Sequence, residues 1–362
     1  MQSLKHTRRE FIKSSAGIAL GTLAGASMGI TGCIFKPEKP VVSVVKINKD
    51  NIDFAVEKAM DLLGGIKTIT RHKDRIMLKP NLVANSPNFT TKPTVIRALT
   101  RLMKKAGKEL CIGEGSAAAN GFNVKDNVLY HTRKQEILDP MQQYVFDVLG
   151  YTELAKSENI QLINLHSGDL MELKVPKSLA FDSITLHKSL TDIDLLCSVP
   201  MMKTHSLATV TLGMKNLIGL YPGKIYCSVR SCLHDQAASA GSPGIAYEIL
   251  DMVRANKLGL VVIDGSMAME GNGPTDGTVL KMDLIIAGTN PLATDMVAAN
   301  IMGFEPDEVP TFNTAFTIGM KPNTISDIEI RGERIADVKR KFVRPNVVPW
   351  TSISQFWGTQ EL

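Results

Sequence analysis

A lysine and a histidine stand two residues apart in Met202-Lys203-Thr204-His205, a point positive charge beside a group that donates, accepts or transfers a proton near neutral pH. Apolar residues follow at Leu207, Val210, Met214, Leu217 and Ile218, a spacing that predicts a helix over 206–217. Lys203 and His205 would then face its N-terminus, where backbone N–H groups attract an anion. They are the candidate catalytic pair, the lysine holding the anion and the histidine acting as general acid and base. Lys215 and Asn216 stand ten or more residues further on, so a straight helix would hold them well away from His205. Either the segment breaks near Gly213 or Lys215 serves another part of the site. The plainer alternative makes both lysines surface charges and His205 a cap.

A second group is Asp264-Gly265 followed by Met269-Glu270-Gly271-Asn272-Gly273-Pro274-Thr275-Asp276-Gly277. Its glycines let backbone approach a ligand closely, and Asp264, Glu270 and Asp276 together could hold a hard divalent cation or orient hydroxyls. The alternative is an elaborate turn with its acids in water. The run matches neither a phosphate-binding P-loop nor an EF-hand. Other candidates are weaker. Gly113-Glu114-Gly115 lacks the third glycine of a dinucleotide fingerprint, and His234-Asp235 could be a catalytic pair but reads rather as loop polarity. Asp295 falls in the first turns of a helix, where the dipole favours a carboxylate anyway. Neither a Gly-x-Ser-x-Gly elbow nor a His-Glu-x-x-His helix is present.

The elements that must position these side chains alternate between short apolar runs and helical patterns, the mark of βαβ construction. The expected fold is α/β: a mostly parallel central sheet with flanking helices, over 41–339, and a small partly antiparallel insertion at about 117–190. Five strand candidates end in polar or glycine-rich turns: Lys79-Pro80-Asn81, Gly113-Glu114-Gly115-Ser116, Lys203-Thr204-His205, Asp264-Gly265 and Gly288-Thr289-Asn290. In a parallel sheet all five would share the edge where open α/β folds bind ligands. Lys79, Asn81, Glu114, Lys215, Asn216 and Asn272 are the candidate binding side chains. A tail over 340–362 holds both tryptophans and should wrap the body.

The first residues read as an address. Arg8 and Arg9 precede Phe11-Ile12-Lys13 and a Gly/Ala-rich apolar stretch, the form of a twin-arginine export signal over 1–32. Ile30-Thr31-Gly32-Cys33 has the form of a lipobox, and Lys36-Pro37-Glu38-Lys39-Pro40 that of a tether over 33–40. Cys33 would carry the lipid and hold the protein at a membrane surface; Ala24-Gly25-Ala26 would instead suit an ordinary signal peptidase. The expected partners are therefore the twin-arginine translocation machinery, a membrane surface and a small anionic ligand. Four basic residues against one acid in 1–32 carry +3 of the formal +5, leaving about +2 with charges mixed, and no nucleic-acid footprint. Cys111 and Cys197 lie in apolar runs as buried thiols, while Cys227 and Cys232 could pair in an oxidising compartment.

Several of these segments occur together in one order: Lys79-Pro80-Asn81-Leu82-Val83, Met202-Lys203-Thr204-His205, Gly213-Met214-Lys215-Asn216-Leu217-Ile218-Gly219, Met269-Glu270-Gly271-Asn272-Gly273-Pro274, then Ala287-Gly288-Thr289 with Ala293-Thr294-Asp295. In this the chain, from about Arg75 to Gly303, resembles the uncharacterised family catalogued as domain of unknown function 362. The resemblance implies an α/β domain in which Lys203, His205, Lys215, Asn216 and Glu270 matter, and no established reaction. Many members carry ferredoxin-type cysteine clusters; this sequence has no C-x-x-C-x-x-C run, so an iron–sulfur cluster is not expected. Three functions compete: an enzyme acting on a small anionic metabolite, with or without a divalent metal; a non-catalytic anion-binding lipoprotein; and a cofactor-bearing redox protein.

Overall fold

A computed structural model describes residues 38–347 and 361–362. The export signal with Arg8 and Arg9, the lipobox Cys33, and Trp350 and Trp357 lie outside the described residues. The strands are β1 (Val41–Lys46), β2 (Arg75–Pro80), β3 (Glu109–Glu114), β4 (Val124–Lys125), β5 (Val128–Leu129), β6 (Gln161–Asn164), β7 (Leu170–Lys174), β8 (Ser183–His187), β9 (Leu195–Val199), β10 (Met201–His205), β11 (Thr209–Thr211), β12 (Leu258–Asn272), β13 (Asp276–Gly288) and β14 (Glu329–Gly332).

The central sheet runs β14-β1-β13-β12-β9-β2-β3-β6, with β10 parallel to β12 and β11 antiparallel to β10. From β12 to β6 every neighbour is parallel, and β13 runs against both β12 and β1. Both faces are covered, and the strands are accordingly apolar on both sides. On one side Met77, Leu196, Val261, Ile263 and Ile286 join a core cluster; on the other Ile76, Leu78, Cys197, Leu260, Val262 and Ile285 join a second. Residues one apart thus serve opposite cores, the period of two that a pleated strand imposes. The helices Ile52–Leu62 and Pro93–Lys105 supply Val56, Met60, Val95 and Leu99 to the second.

Three expectations change. The predicted helix over 206–217 is instead the β10–β11 hairpin followed by a 3₁₀ turn over Lys215–Leu220. The β-branched run Thr209-Val210-Thr211 favours a strand, so no helix begins at Ser206. The turn at Gly288 lies on the other edge of the sheet, because β13 is antiparallel and Gly288 pairs with Val261 near the start of β12. The insertion is smaller than 117–190: β6 joins the sheet parallel to β3, so the helices Gln135–Val148 and Tyr151–Glu158 form an ordinary crossover. Only the hairpins β4–β5 and β7–β8 stand off the sheet. At the start of the tail Phe342 is buried and donates its N–H to the Met302 carbonyl.

Candidate active site

The parallel topology carries the ends of β2, β3 and β10 to one edge. There Lys79, Asn81, Glu114, His205, Lys215 and Asn216 line one pocket that opens to solvent. The β10–β11 hairpin settles the question of Lys215. The chain turns back after His205 and returns Lys215 to the pocket, where a helix would have carried it away. Gly213 makes that return possible. A Cβ there would stand 2.5 Å from Val261 Cγ1 and 2.8 Å from Asp295 Oδ1. The Gly213 and Met214 N–H groups donate to the two Asp295 oxygens at 2.7 and 2.8 Å, so Asp295 pins the turn.

Most of the cations here have their donors engaged. Lys79 Nζ donates to Glu114 Oε1 at 2.7 Å, to the Pro80 carbonyl and to Asn216 Oδ1. Glu114 also accepts from the Leu82 and Gly115 N–H groups. Arg230, also lining the pocket, donates all five of its N–H groups to backbone carbonyls, those of Tyr221, Ser116, Ser228, Gly115 and Gly219. Burial brings its pKa down only to about 10, with Glu114 opposing, so it stays charged. Gly219 keeps this region open: a Cβ there would lie 2.3 Å from Glu114 Oε1 and 2.7 Å from Lys79 Nζ. Lys203 is buried just behind the pocket and donates to the Phe89 and Pro274 carbonyls.

Lys215 is different: its side chain makes no hydrogen bond or ion pair with any described residue. Burial, then the charges of Lys79 and Arg230, bring its pKa down to about 7 against the pull of Glu114. Two fixed cations, Lys79 and Arg230, and the titratable Lys215 thus face one carboxylate in the pocket lining, Glu114, a balance that attracts an anion.

The two pocket histidines are set oppositely. His205 Nδ1 accepts the Leu207 N–H at 3.0 Å, so its neutral ring carries the proton on Nε2 and presents a donor. Burial, then Lys215 and Lys203, hold its pKa well below the usual range, and a protonated Nδ1 would oppose the Leu207 N–H. His205 is therefore a neutral hydrogen-bond donor, and the general acid–base role expected for it does not fit this geometry. His234 Nδ1 lies 2.9 Å from Glu248 Oε1, itself buried and accepting from Ser242 Oγ. A Nδ1–H donated to that carboxylate leaves His234 Nε2 as an acceptor, the arrangement of a general base. Asn81 Oδ1 is buried without a partner among the described residues, a second acceptor awaiting a ligand's donor.

The acidic loop does not assemble. Asp264 is buried and accepts from the Lys92 N–H and from the Ser266 N–H and hydroxyl. Glu270 accepts from the Val343 N–H and Asn272 from the Asn346 N–H, so both hold the tail. Asp276 is exposed at the hairpin tip, paired with Asn272. Among the described residues no three His, Cys, Asp or Glu side chains stand together to hold a metal ion. The loop reaches the site by other means, through Pro274 in the pocket wall and its carbonyl on Lys203. An iron–sulfur cluster finds no ligand set among the described cysteines. Cys111 and Cys197 lie in β3 and β9, and Cys227 and Cys232 are bonded to each other.

The family described as "Domain of unknown function (DUF362)" matches residues 76–300, which span β2 to the helix Pro291–Ile301 and so the whole of this pocket. The chain belongs to that family. It is 27% identical over 266 residues to the thylakoid-associated protein sll1697 of Synechocystis, covering 73% of this chain and 74% of that protein. Among solved structures, the lactate racemase apoprotein of Thermoanaerobacterium thermosaccharolyticum aligns with a TM-score of 0.43 at 13% identity, over 73% of this chain. A Thermotoga maritima protein from a structural genomics programme aligns with a TM-score of 0.38 at 14% identity, over 67%. The chain spans 57% and 56% of those two solved chains.

In this DUF362 member, sequence reasoning missed Arg230 and the His234–Glu248 pair. The disulfide offers a signal for both, since Cys227 and Cys232 bracket Val229 and Arg230, and His234 follows in the helix Ser231–Ser239. Arg230 sits at φ +60°, a left-handed conformation that the short covalent loop helps hold. Reduction should cost about 2 kcal/mol, the chain entropy of closing so short a loop. It should also loosen Arg230 and weaken anion binding. Urea unfolding with and without dithiothreitol, against Cys227→Ser/Cys232→Ser, measures it; coincident curves would show that the bond carries no stability.

Proposed function

We propose that the protein is an exported, membrane-associated enzyme whose pocket binds a small organic anion and performs acid–base chemistry on it. The observation that carries the reading is a pair of histidines whose Nδ1 atoms are oppositely partnered in one pocket, His205 by the Leu207 N–H and His234 by the Glu248 carboxylate. A group near His205 Nε2–H and Lys215 has its negative charge stabilised, while His234 Nε2 takes a proton. Neutral imidazole serves as an electrophile for just this purpose where a protonated ring is disfavoured. Asn81 Oδ1 suits a ligand that also carries a hydroxyl or another donor. The arrangement needs no metal for proton transfer. Export rests on the Arg8-Arg9 signal and the Cys33 lipobox, and a relative named as thylakoid-associated agrees with a place at a membrane. Fatty-acid labelling lost in Cys33→Ala tests the anchor.

The test of the enzyme reading uses phosphate and a set of small carboxylates and hydroxycarboxylates. One or more should raise the melting temperature, as a ligand that binds only the folded state must. The stabilising compound, recovered after incubation, should be chemically changed. His234→Ala should then keep affinity and lose about 10²- to 10⁴-fold in turnover. His205→Ala should weaken binding as well. Recovery of every stabilising ligand unchanged would make this an anion-binding lipoprotein, and no stabilisation by any of them would remove the anion pocket.

A further inference from the structure

Of the pocket's lysines, one is left without work by the fold. Lys79 spends three N–H groups on Glu114, Pro80 and Asn216, and Lys203 is anchored on two backbone carbonyls. Lys215 has no such partner among the described residues, yet two lines of contact fix its place. Asp295 holds the Gly213-Met214 backbone immediately before it, and Asn216 immediately after it donates to the Lys79 carbonyl and Ser198 Oγ. Its side chain also lines a second, shallow hollow with Val210, Leu212, Met214 and Phe312; the carboxylate of that hollow, Asp295, is committed to the Gly213 and Met214 N–H groups. An amine between an apolar wall and two fixed cations is disfavoured as ammonium and keeps its lone pair, the setting in which lysines act as nucleophiles.

We propose that Lys215 forms an imine with the carbonyl group of a small 2-oxo acid bound in this pocket. The inference rests on the anion-binding reading above and deepens it by naming a substrate class. Arg230 and Lys79, their own N–H groups spent, act on the carboxylate through their field. Lys215 Nζ attacks the ketone carbon, forming the C–N bond while the C=O π electrons move to oxygen. His205 Nε2–H donates a hydrogen bond to that oxygen as charge gathers on it. His234 Nε2 carries the two amine protons, one after the other, from nitrogen to oxygen. The C–O bond breaks, the oxygen leaves as water, and a neutral imine remains; no oxidant or reductant takes part. Asn81 Oδ1 is placed to accept from the hydroxyl of the intermediate carbinolamine.

The experiment treats the purified exported protein with pyruvate and sodium cyanoborohydride, followed by intact mass and peptide mapping. One reduced adduct per chain, mapped to Lys215, is expected. Acetaldehyde, which lacks the carboxylate, should react at least tenfold more slowly. Oxalate, an anion with no ketone, should bind and block the adduct. The rate should rise as pH passes through about 7, where the amine loses its proton, and Lys215→Arg should give no adduct at the pocket while still binding oxalate. Oxalate binding by calorimetry with no adduct on Lys215, or with label spread equally over surface lysines, overturns the imine and leaves the anion pocket standing. Failure of both oxalate and pyruvate to bind overturns the pocket reading and the imine with it.

Discussion

Glu114→Gln should destabilise the protein by about 3–5 kcal/mol, the cost of breaking a buried ion pair by removing one charge. Lys79 and Glu114 are both almost without solvent exposure, and their contact is 2.7 Å. Glu114 accepts from three donors: Lys79 Nζ and the Gly115 N–H on Oε1, and the Leu82 N–H on Oε2. A glutamine has one oxygen to offer and must turn its NH₂ toward a donor. Lys79 is then a buried cation with only Pro80 and Asn216 for company, and burial already pushes its pKa down against the pull of Glu114. Urea unfolding followed by circular dichroism measures the loss. In Lys79→Met/Glu114→Gln no lone charge is left, so the double variant should lose less than the sum of the single ones. Strict additivity would mean that the two groups do not act as a pair.

The strands that end the pocket were legible because their sequences are one-sided statements: an apolar run, then a polar turn. Lys79, Asn81 and Glu114 follow from that pattern, since parallel strands present their C-terminal ends on one edge. The β10–β11 hairpin was misread because Leu207, Val210 and Met214 satisfy a helical period as well as a buried strand and turn. Only the β-branched Thr209-Val210-Thr211 tips the balance. The acidic loop was misread for another reason. A hairpin as long as β12–β13 displays acids at intervals that look like a ligand set, but Asp264 turns to the Lys92 N–H, Glu270 to the Val343 N–H of the tail and Asp276 to solvent. His234 was passed over because its neighbour Asp235 is not its partner. Glu248, the real one, lies fourteen positions on in the helix Ala246–Ala255, and only the packing of that helix brings the two together.

Asp295 carries the second large effect, because it couples the far side of the sheet to the reactive lysine. It belongs to the helix Pro291–Ile301, yet its carboxylate leaves the helix and grips the turn before Lys215. Asp295→Ala should cost about 1–3 kcal/mol for each of the two N–H groups left without an acceptor. It should also slow single-site trapping at Lys215, since the turn then relies on Ser198 Oγ at the Gly213 carbonyl and on the Asn216 contacts. Burial raises the Asp295 pKa to about 7 from an ordinary 3.8, opposed by those two N–H groups. Between these values the folded state binds more protons than the unfolded one. Its contribution therefore falls as pH rises through that window, by up to about 1.4 kcal/mol per pH unit. Lys215 works in the other direction and in the next window: its pKa is lowered, so the unfolded chain binds more protons from about pH 7 upward and stability rises with pH there. Asp295→Asn should make the lower limb shallower, with the raised carboxyls of Glu248 and Asp264 keeping the rest of it, whereas Lys215→Met should make only the upper limb shallower, with buried Lys79 and Lys203 keeping the rest. Urea midpoints of both variants from pH 4 to 10 separate the two groups, and a lower limb unchanged in Asp295→Asn would mean that the carboxylate stays ionised beneath the turn.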